Sequence, residues 1–521
     1  MLLGQSRPEW ALVKIGAALF AFPAVAAVLY FVLAAAIFGV RGIAHPFSII
    51  VEVFGLVEIL WYLVFYVPYR EYLQRPGYHP PPLDRDARRA LILECLDAIP
   101  DYDTFQKRWA LGAQSEDIRR ENIKDWLLWA LFDRKGPPGA DDAELEEYVD
   151  VFETKLGREI RPGRGDAGML RLDFDRVRML HRSLLWYMIV GAADMLTLVG
   201  MAFLGFRFRR QARSTFFTTF PFRPQTLLAP ASPAPELSYF YRPHRSTTSR
   251  PIVLIHGIGI GYAPYLPLLR LIPRDVGIIA IEILPVSCRI TAPLPPTDVV
   301  ANAIATIAAH HQAVDAFPHD LVLTVHSFGS LYAAALLHNP RMSPSVHSLV
   351  LMDPVSLLLH LPDVAYNFTR RPPKFANELQ IWLAVASDSN VAHTLARRIC
   401  WREMRLTRED LLPDGMAAAD GAHRALRRTT ALFGGRDNVT NPDAVASYVY
   451  SGRARHAEID RDEWRVSPAR WTGHGELELM YLDGLDHGQA FLSPRYLPLL
   501  AKVLNTYAER EGPEPKMAEI A

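Results

Sequence analysis

Three long apolar runs precede residue 207. Residues 15–40 carry no charged side chain and are interrupted only by Pro23 and a few glycines, which suits a helix that crosses a bilayer. Residues 46–67 follow after a very short loop. This second run contains Glu52 and Glu58, carboxylates that are costly in hydrocarbon unless they are paired or face protein. Together the two runs predict a membrane hairpin within residues 1–75. A third run, residues 184–206, holds Asp194. Between the second and third runs, apolar positions recur at helical spacing, as in Leu91, Cys95, Leu96 and Ile99, and again in Ile123, Trp126, Leu127 and Ala130. Residues 76–213 are therefore expected to be helical.

The pattern changes after a proline-rich stretch, residues 214–236, which reads as a linker. Short β-branched runs then alternate with helical ones over residues 237–508. Strands are expected at residues 252–255, 277–281, 321–325, 348–352, 430–433 and 477–481. This alternation predicts an α/β domain with a mostly parallel sheet, in which sites form at the carboxyl ends of the strands. Residues 509–521 read as a flexible tail.

A chain of 521 residues exceeds one ordinary core, which agrees with a separate amino-terminal region. The charges balance at 56 basic and 56 acidic residues with no long basic run, so nucleic acid is excluded as a partner. Charge placement does bear on orientation. Arg7 and Lys14 precede the first run, Arg70 and Arg75 follow the second, and Arg207, Arg209, Arg210 and Arg213 follow the third. Positive flanks mark the cytoplasmic side, and one crossing by the third run cannot leave both of its flanks there. Residues 184–206 are accordingly expected to lie in the interface or to pack on protein. The α/β domain should face the cytosol on an intracellular membrane. Cys95, Cys288 and Cys400 have neither disulfide nor zinc spacing, and the sequons at Asn367 and Asn438 read as chance matches.

The chemistry gathers at three strand ends. The strand at 321–325 runs through Val325-His326-Ser327-Phe328-Gly329 into a small-residue helix. Such a turn exposes its central hydroxyl and aims the helix amino terminus at the site, although a serine there also serves as an ordinary helix cap. Later strands end in Gly434-Gly435-Arg436-Asp437 and Gly484-Leu485-Asp486-His487. The first is followed by His256-Gly257-Ile258-Gly259-Ile260-Gly261. That loop, with Glu282 ending the next strand, also mimics a dinucleotide fingerprint, but its glycine spacing differs and Ser327, Asp437 and His487 would be left unexplained.

In these residues the chain resembles the α/β-hydrolase family over roughly residues 237–507, departing from its G-x-S-x-G elbow at Val325. The resemblance implies Ser327 as nucleophile, His487 as general base and Asp437 as the acid that orients it, with Asp353 as the alternative acid and Asp486 structural. It also implies an oxyanion hole from the N–H groups of Ile258 and Phe328, and a cap at residues 354–429 whose Trp382, Leu383, Leu395, Trp401 and Met404 line the pocket. No cofactor or metal is expected. The expected activity is serine hydrolysis of carboxylic esters of lipids or other apolar substrates, rising with pH through the ordinary imidazole range of about 6 to 7.5. A thioesterase or amidase would use the same residues, and a non-catalytic membrane scaffold on the same fold is the reading from another class.

Overall fold

The computed structural model describes residues 4–315, 317–412, 427–451 and 471–510. Most of the expected tail and part of the expected cap lie outside them. Eight strands form one sheet: β1 (Arg207–Arg209), β2 (Tyr239–Arg242), β3 (Ile252–Ile255), β4 (Ile278–Ile281), β5 (Leu321–His326), β6 (Val346–Met352), β7 (Arg428–Gly434) and β8 (Leu477–Leu482). Their order is β1-β2-β4-β3-β5-β6-β7-β8, with β2 antiparallel to both of its neighbours, β1 and β4, and the remaining pairs parallel. This is the α/β-hydrolase fold. Alternate side chains face opposite cores: Val253 and Ile255 enter one, Ile252 and Leu254 the other. Both faces are covered, so the strands read as unbroken apolar runs.

The first two strands escaped the sequence reading. β1 falls inside the stretch expected to be helical, and three residues are too few to show alternation. β2 offers only Tyr239, Phe240 and Tyr241 before Arg242, too short an apolar run to stand out. The expected linker is a packed segment: Arg223, Gln225 and Thr226 are buried, and Ala234 lies in the main core.

At the amino terminus, α1 (Arg7–Ala21) leads through Phe22 into α2 (Pro23–Ile43), which pairs with α3 (Pro46–Leu60). Glycine permits the close approach, since a Cβ on Gly55 would lie 2.5 Å from Ala27 Cβ. Tyr30 Oη and Ser48 Oγ are 2.6 Å apart across the same contact. The helix continues from α3 to Tyr72, and it, α2 and α8 (Leu184–Phe203) are each long and apolar enough to cross a membrane. Glu58, one of the two costly carboxylates, accepts from Leu184 N and Leu185 N (3.1 and 3.2 Å) and so caps the start of α8. Oε1 of the other, Glu52, is buried without a hydrogen-bond partner.

Helices α4 (Arg85–Asp97), α5 (Tyr102–Trp109), α6 (Arg120–Phe132) and α7 (Asp142–Leu156) are amphipathic as expected, but they share one apolar core with the sheet. Their contacts reach the segment after β6. Trp401 Nε1 donates to Ala130 O (3.1 Å), and Arg405 pairs with Glu94.

Candidate active site

The end of β5 turns sharply. Ser327 takes a φ of 49°, a left-handed conformation that costs a residue bearing a Cβ about 1–2 kcal/mol. The turn is tight because Gly329 presses on β3: a Cβ there would lie 2.6 Å from Ile255 O. Val325, at the departure from the family pattern, stays within β5 between Ile255 and Leu351 and is fully buried. The close approach therefore falls on the second glycine position, which is kept. Ser330 Oγ donates to Ser327 O (2.6 Å) and accepts from Val355 N and Ser356 N, clamping the turn from below. The chain then enters helix α9 (Ala333–His338).

Ser327 Oγ lies 2.8 Å from His487 Nε2, and His487 Nδ1 lies 2.7 Å from Asp437 Oδ2. The three residues come from the ends of β5, β8 and β7. Asp437 Oδ1 accepts from Val439 N and Thr440 N. Burial alone would raise the Asp437 carboxyl, but the His487 charge and these hydrogen bonds hold it below the usual range.

Asp353 and Asp486 occupy different places. Asp353, with a φ of 43°, accepts from Gly434 N (2.8 Å) and Gly488 N (2.9 Å) and ties the ends of β7 and β8 together. Burial pushes its carboxyl up to about 6. Asp486 Oδ1 accepts from His487 N and Asn438 N, and its Oδ2 accepts from Asn377 Nδ2 (2.6 Å). Asn377 N in turn donates to Gly4 O, so the amino terminus is joined to the loops that carry His487 and Asp437. Neither carboxylate hydrogen-bonds the imidazole ring among the described residues, but both act on it through space. Burial opposes a charge on His487, yet Asp437, then Asp353 and Asp486, outweigh it and lift the imidazole to about 9. That is above the ordinary range expected from the sequence, which cannot show how many carboxylates converge.

The loop after β3 lies against the serine. A Cβ on Gly257 would come within 2.8 Å of Ser327 Cβ, so only glycine lets the loop approach, and Ile258 follows directly. Two residues fix this loop: His256, which the sequence reading placed in it without a role, and Tyr265, which it did not single out. His256 is buried and kept neutral by that burial; its Nδ1 lies 2.7 Å from Gly257 O, and its Nε2 accepts from Ile283 N. Tyr265 Oη accepts from Gly257 N (2.9 Å) and reaches His326 Nδ1 (2.5 Å). Phe328, the second expected oxyanion donor, follows Ser327 in the turn with its side chain buried.

A cavity of about 290 Å³ opens beside Ser327 and His487. Its wall is mostly apolar and includes Ile258, Ile260, Phe491 and Leu492. Helix α10 (Pro362–Thr369) contributes Phe368, and α11 (Ala376–Ile381) with the turn after it contributes Ile381, Ala384 and Val385. These residues correct the expected lining. Trp382 and Leu383 are outside the wall because helical spacing turns them away from the face of 381, 384 and 385. Leu395 and Trp401 line a separate cavity with Trp109, Trp126 and Trp129, and Met404 is core. The wall also includes Trp186, from the first turn of α8, a contact with no signal in local sequence. As for metals, Glu121, Asp142 and Glu146 come within bridging distance of one another, but the Lys124 ammonium pairs with all three.

No family model matches this chain, and no curated protein matches it. Among solved structures it is similar to a membrane phospholipase A described as a bacterial virulence factor, at 16% identity and a TM-score of 0.35, over 62% of this chain and 94% of that one. It is also similar to a peroxisomal α/β-hydrolase from Saccharomyces cerevisiae (14% identity, 54% and 86% coverage, TM-score 0.32). Naproxen esterase from Bacillus subtilis gives 13%, 50% and 85%, and 0.31. Scores this low carry no weight beyond the likeness itself; the fold assignment rests on the strand order and the turn at Ser327.

Proposed function

We propose that this chain is a membrane-attached serine hydrolase cleaving carboxylic esters of lipids or other apolar substrates through an acyl-enzyme. The observation that carries the reading is the hydrogen-bonded line from Ser327 through His487 to Asp437, set in the wall of an apolar cavity. In it, Ser327 Oγ attacks the ester carbonyl while its proton passes to His487 Nε2, and Asp437 holds Nδ1–H and stabilises the imidazolium. The N–H groups of Ile258 and Phe328 receive the oxyanion; one such donor is commonly worth about 10² to 10³ in rate. His487 then protonates the leaving alkoxide, and water attacks the acyl-serine by the reverse route.

The rest of the chain fits the same reading. The eight-stranded sheet with its helices is the catalytic unit, the described residues between β6 and β7 are its cap, and α2 and α3 are the membrane hairpin. Anchoring favours substrates already dissolved in the bilayer, and the cavity wall offers few polar groups to any other kind.

A fluorophosphonate probe tests the assignment on membranes bearing the full chain. Labelling should be lost in Ser327→Ala, along with turnover of a long-chain ester, by up to about 10⁶. Labelling that survives the substitution refutes it, and faster turnover of a matched thioester or amide changes the substrate class.

A further inference from the structure

Helix α8 has two unlike faces. Tyr187, Val190, Asp194, Thr197 and Met201 form one buried stripe. It docks on the catalytic domain along its whole length: Gly191 lies against Pro221, and Gly200 against Leu266. Asp194 binds Arg223 (3.0 Å) and Arg289 (2.8 Å), and Arg223 also binds Glu282, in a cluster almost without solvent access. The opposite face is apolar and open, with Leu196 at 71% and Phe203 at 77% exposure.

A second apolar surface lies beside the docked side of α8, where Phe220 meets Tyr187 and Pro221 lies against Gly191. In the segment between β1 and β2, Phe217 is 80% exposed, Phe222 57% and Leu228 83%. This is not a stray patch. Phe216 stacks on Phe222, which meets Phe220, and Phe220 packs on both Trp61 of the hairpin helix and Tyr187 of α8. Exposed Arg207 and Arg213 flank it.

The hairpin sets the depth of this surface. From Pro46 to Trp61 the helix rises about 22 Å at 1.5 Å per residue, against a hydrocarbon thickness of about 30 Å. Trp61 thus sits toward the boundary to which the hairpin returns, at the level where Trp and Tyr gather. Phe220 and the start of α8 contact it there.

We propose that the open face of α8 and the tip formed by Phe217, Phe222 and Leu228 are one in-plane membrane-contact surface, occupied by the headgroup–acyl boundary of the bilayer. This rests on the membrane attachment proposed above and adds where the catalytic domain touches. α8 then lies along the membrane. Crossing would carry its docked partner surface, with Arg223, Arg289 and Glu282, into hydrocarbon, where buried charge is most costly. Continuity with the hairpin and the flanking arginines favour a bilayer over a protein as the occupant. Because Trp186 belongs to both α8 and the cavity wall, the same contact holds the cavity against the lipid surface.

The test uses the full chain in phosphatidylcholine vesicles containing phosphatidylserine, with Cys400→Ser and a single environment-sensitive nitrobenzoxadiazole label at Phe217→Cys, Phe222→Cys, Leu196→Cys or Val314→Cys. Val314, 66% exposed on a helix of the catalytic domain, is the water-facing control. Labels at 217, 222 and 196 should emit at shorter wavelength and be quenched most by lipids with a doxyl group near the headgroup, while the label at 314 responds only to aqueous iodide. Labels at 217 and 222 that behave like the one at 314 overturn the proposal. So does a label at 196 quenched best by doxyl at the chain end, the signature of a crossing helix. Fluorophosphonate labelling of Ser327 in the same samples reports on the hydrolase assignment separately, and release by alkaline carbonate would remove the attachment itself.

Discussion

Asp486→Asn separates charge from geometry at the proposed catalytic base. The Asp486 carboxylate binds the His487 and Asn438 N–H groups through Oδ1 and the Asn377 amide through Oδ2. An asparagine keeps the Oδ1 bonds. Its new NH2 would face the Asn377 NH2, but Asn377 Oδ1 is buried and has no hydrogen-bond partner among the described residues, so a flip of that amide restores the bond. What is lost is one negative charge beside an imidazole lifted to about 9. At roughly 6 Å and an effective dielectric of about 40, that charge is worth about 1.4 kcal/mol, or about one pH unit. The sign follows from the role of the ring. A raised imidazole holds its proton to higher pH, and only the neutral ring accepts the serine proton, so activity is absent well below the imidazole's value and present above it. In the unsubstituted chain the ring is held largely protonated at neutral pH by these carboxylates. Asp486→Asn should move the rising limb of kcat/KM down by about one unit and raise turnover near neutral pH several-fold. The assay is kcat/KM for a water-soluble ester across pH 6 to 10, with fluorophosphonate labelling rates as a second readout. A limb that stays in place while the plateau falls would mean that Asp486 acts only by holding its loops, and the electrostatic reasoning would be wrong.

The two remaining acids should separate in the same assay. Asp437→Asn removes the group bonded to His487 Nδ1 and should lower kcat by about 10⁴, as expected when the tautomer is no longer imposed. Asp353→Asn should cost less, through loosened loops at Gly434 and Gly488; the reverse order would make Asp353 the acid. Orientation is checked by protease protection of a carboxyl-terminal tag in sealed microsomes. Digestion of the tag is expected, whereas protection, or a glycan on Asn367, would place the domain in the lumen.

Much of the catalytic half was legible along the chain because it is coded locally. A strand that turns into a helix at Ser327, and strands that end at Asp437 and His487, each need only a few neighbouring residues to be recognised, and a parallel sheet buried on both faces leaves unbroken apolar runs. Residues 15–40 and 46–67 were equally plain as long apolar runs, since length and apolar character are local properties. Local coding failed where a residue's neighbours are distant in sequence. β1 and β2 offer only one and three apolar residues, too few to stand out as a run. Arg223, in a stretch that reads as linker, is buried because Asp194 and Glu282 meet it from two other elements. Asp194 looks like a liability in an apolar helix until that packing turns it into the anchor of α8. The imidazole at about 9 is likewise a property of assembly, for Asp353, Asp437 and Asp486 bear on His487 together only once β6, β7 and β8 lie side by side. Residue types and their spacing decided which chemistry this chain carries. Long-range packing decided how strongly its groups are perturbed and what lines the cavity, because charge and contact act through space over distances that sequence separation does not record.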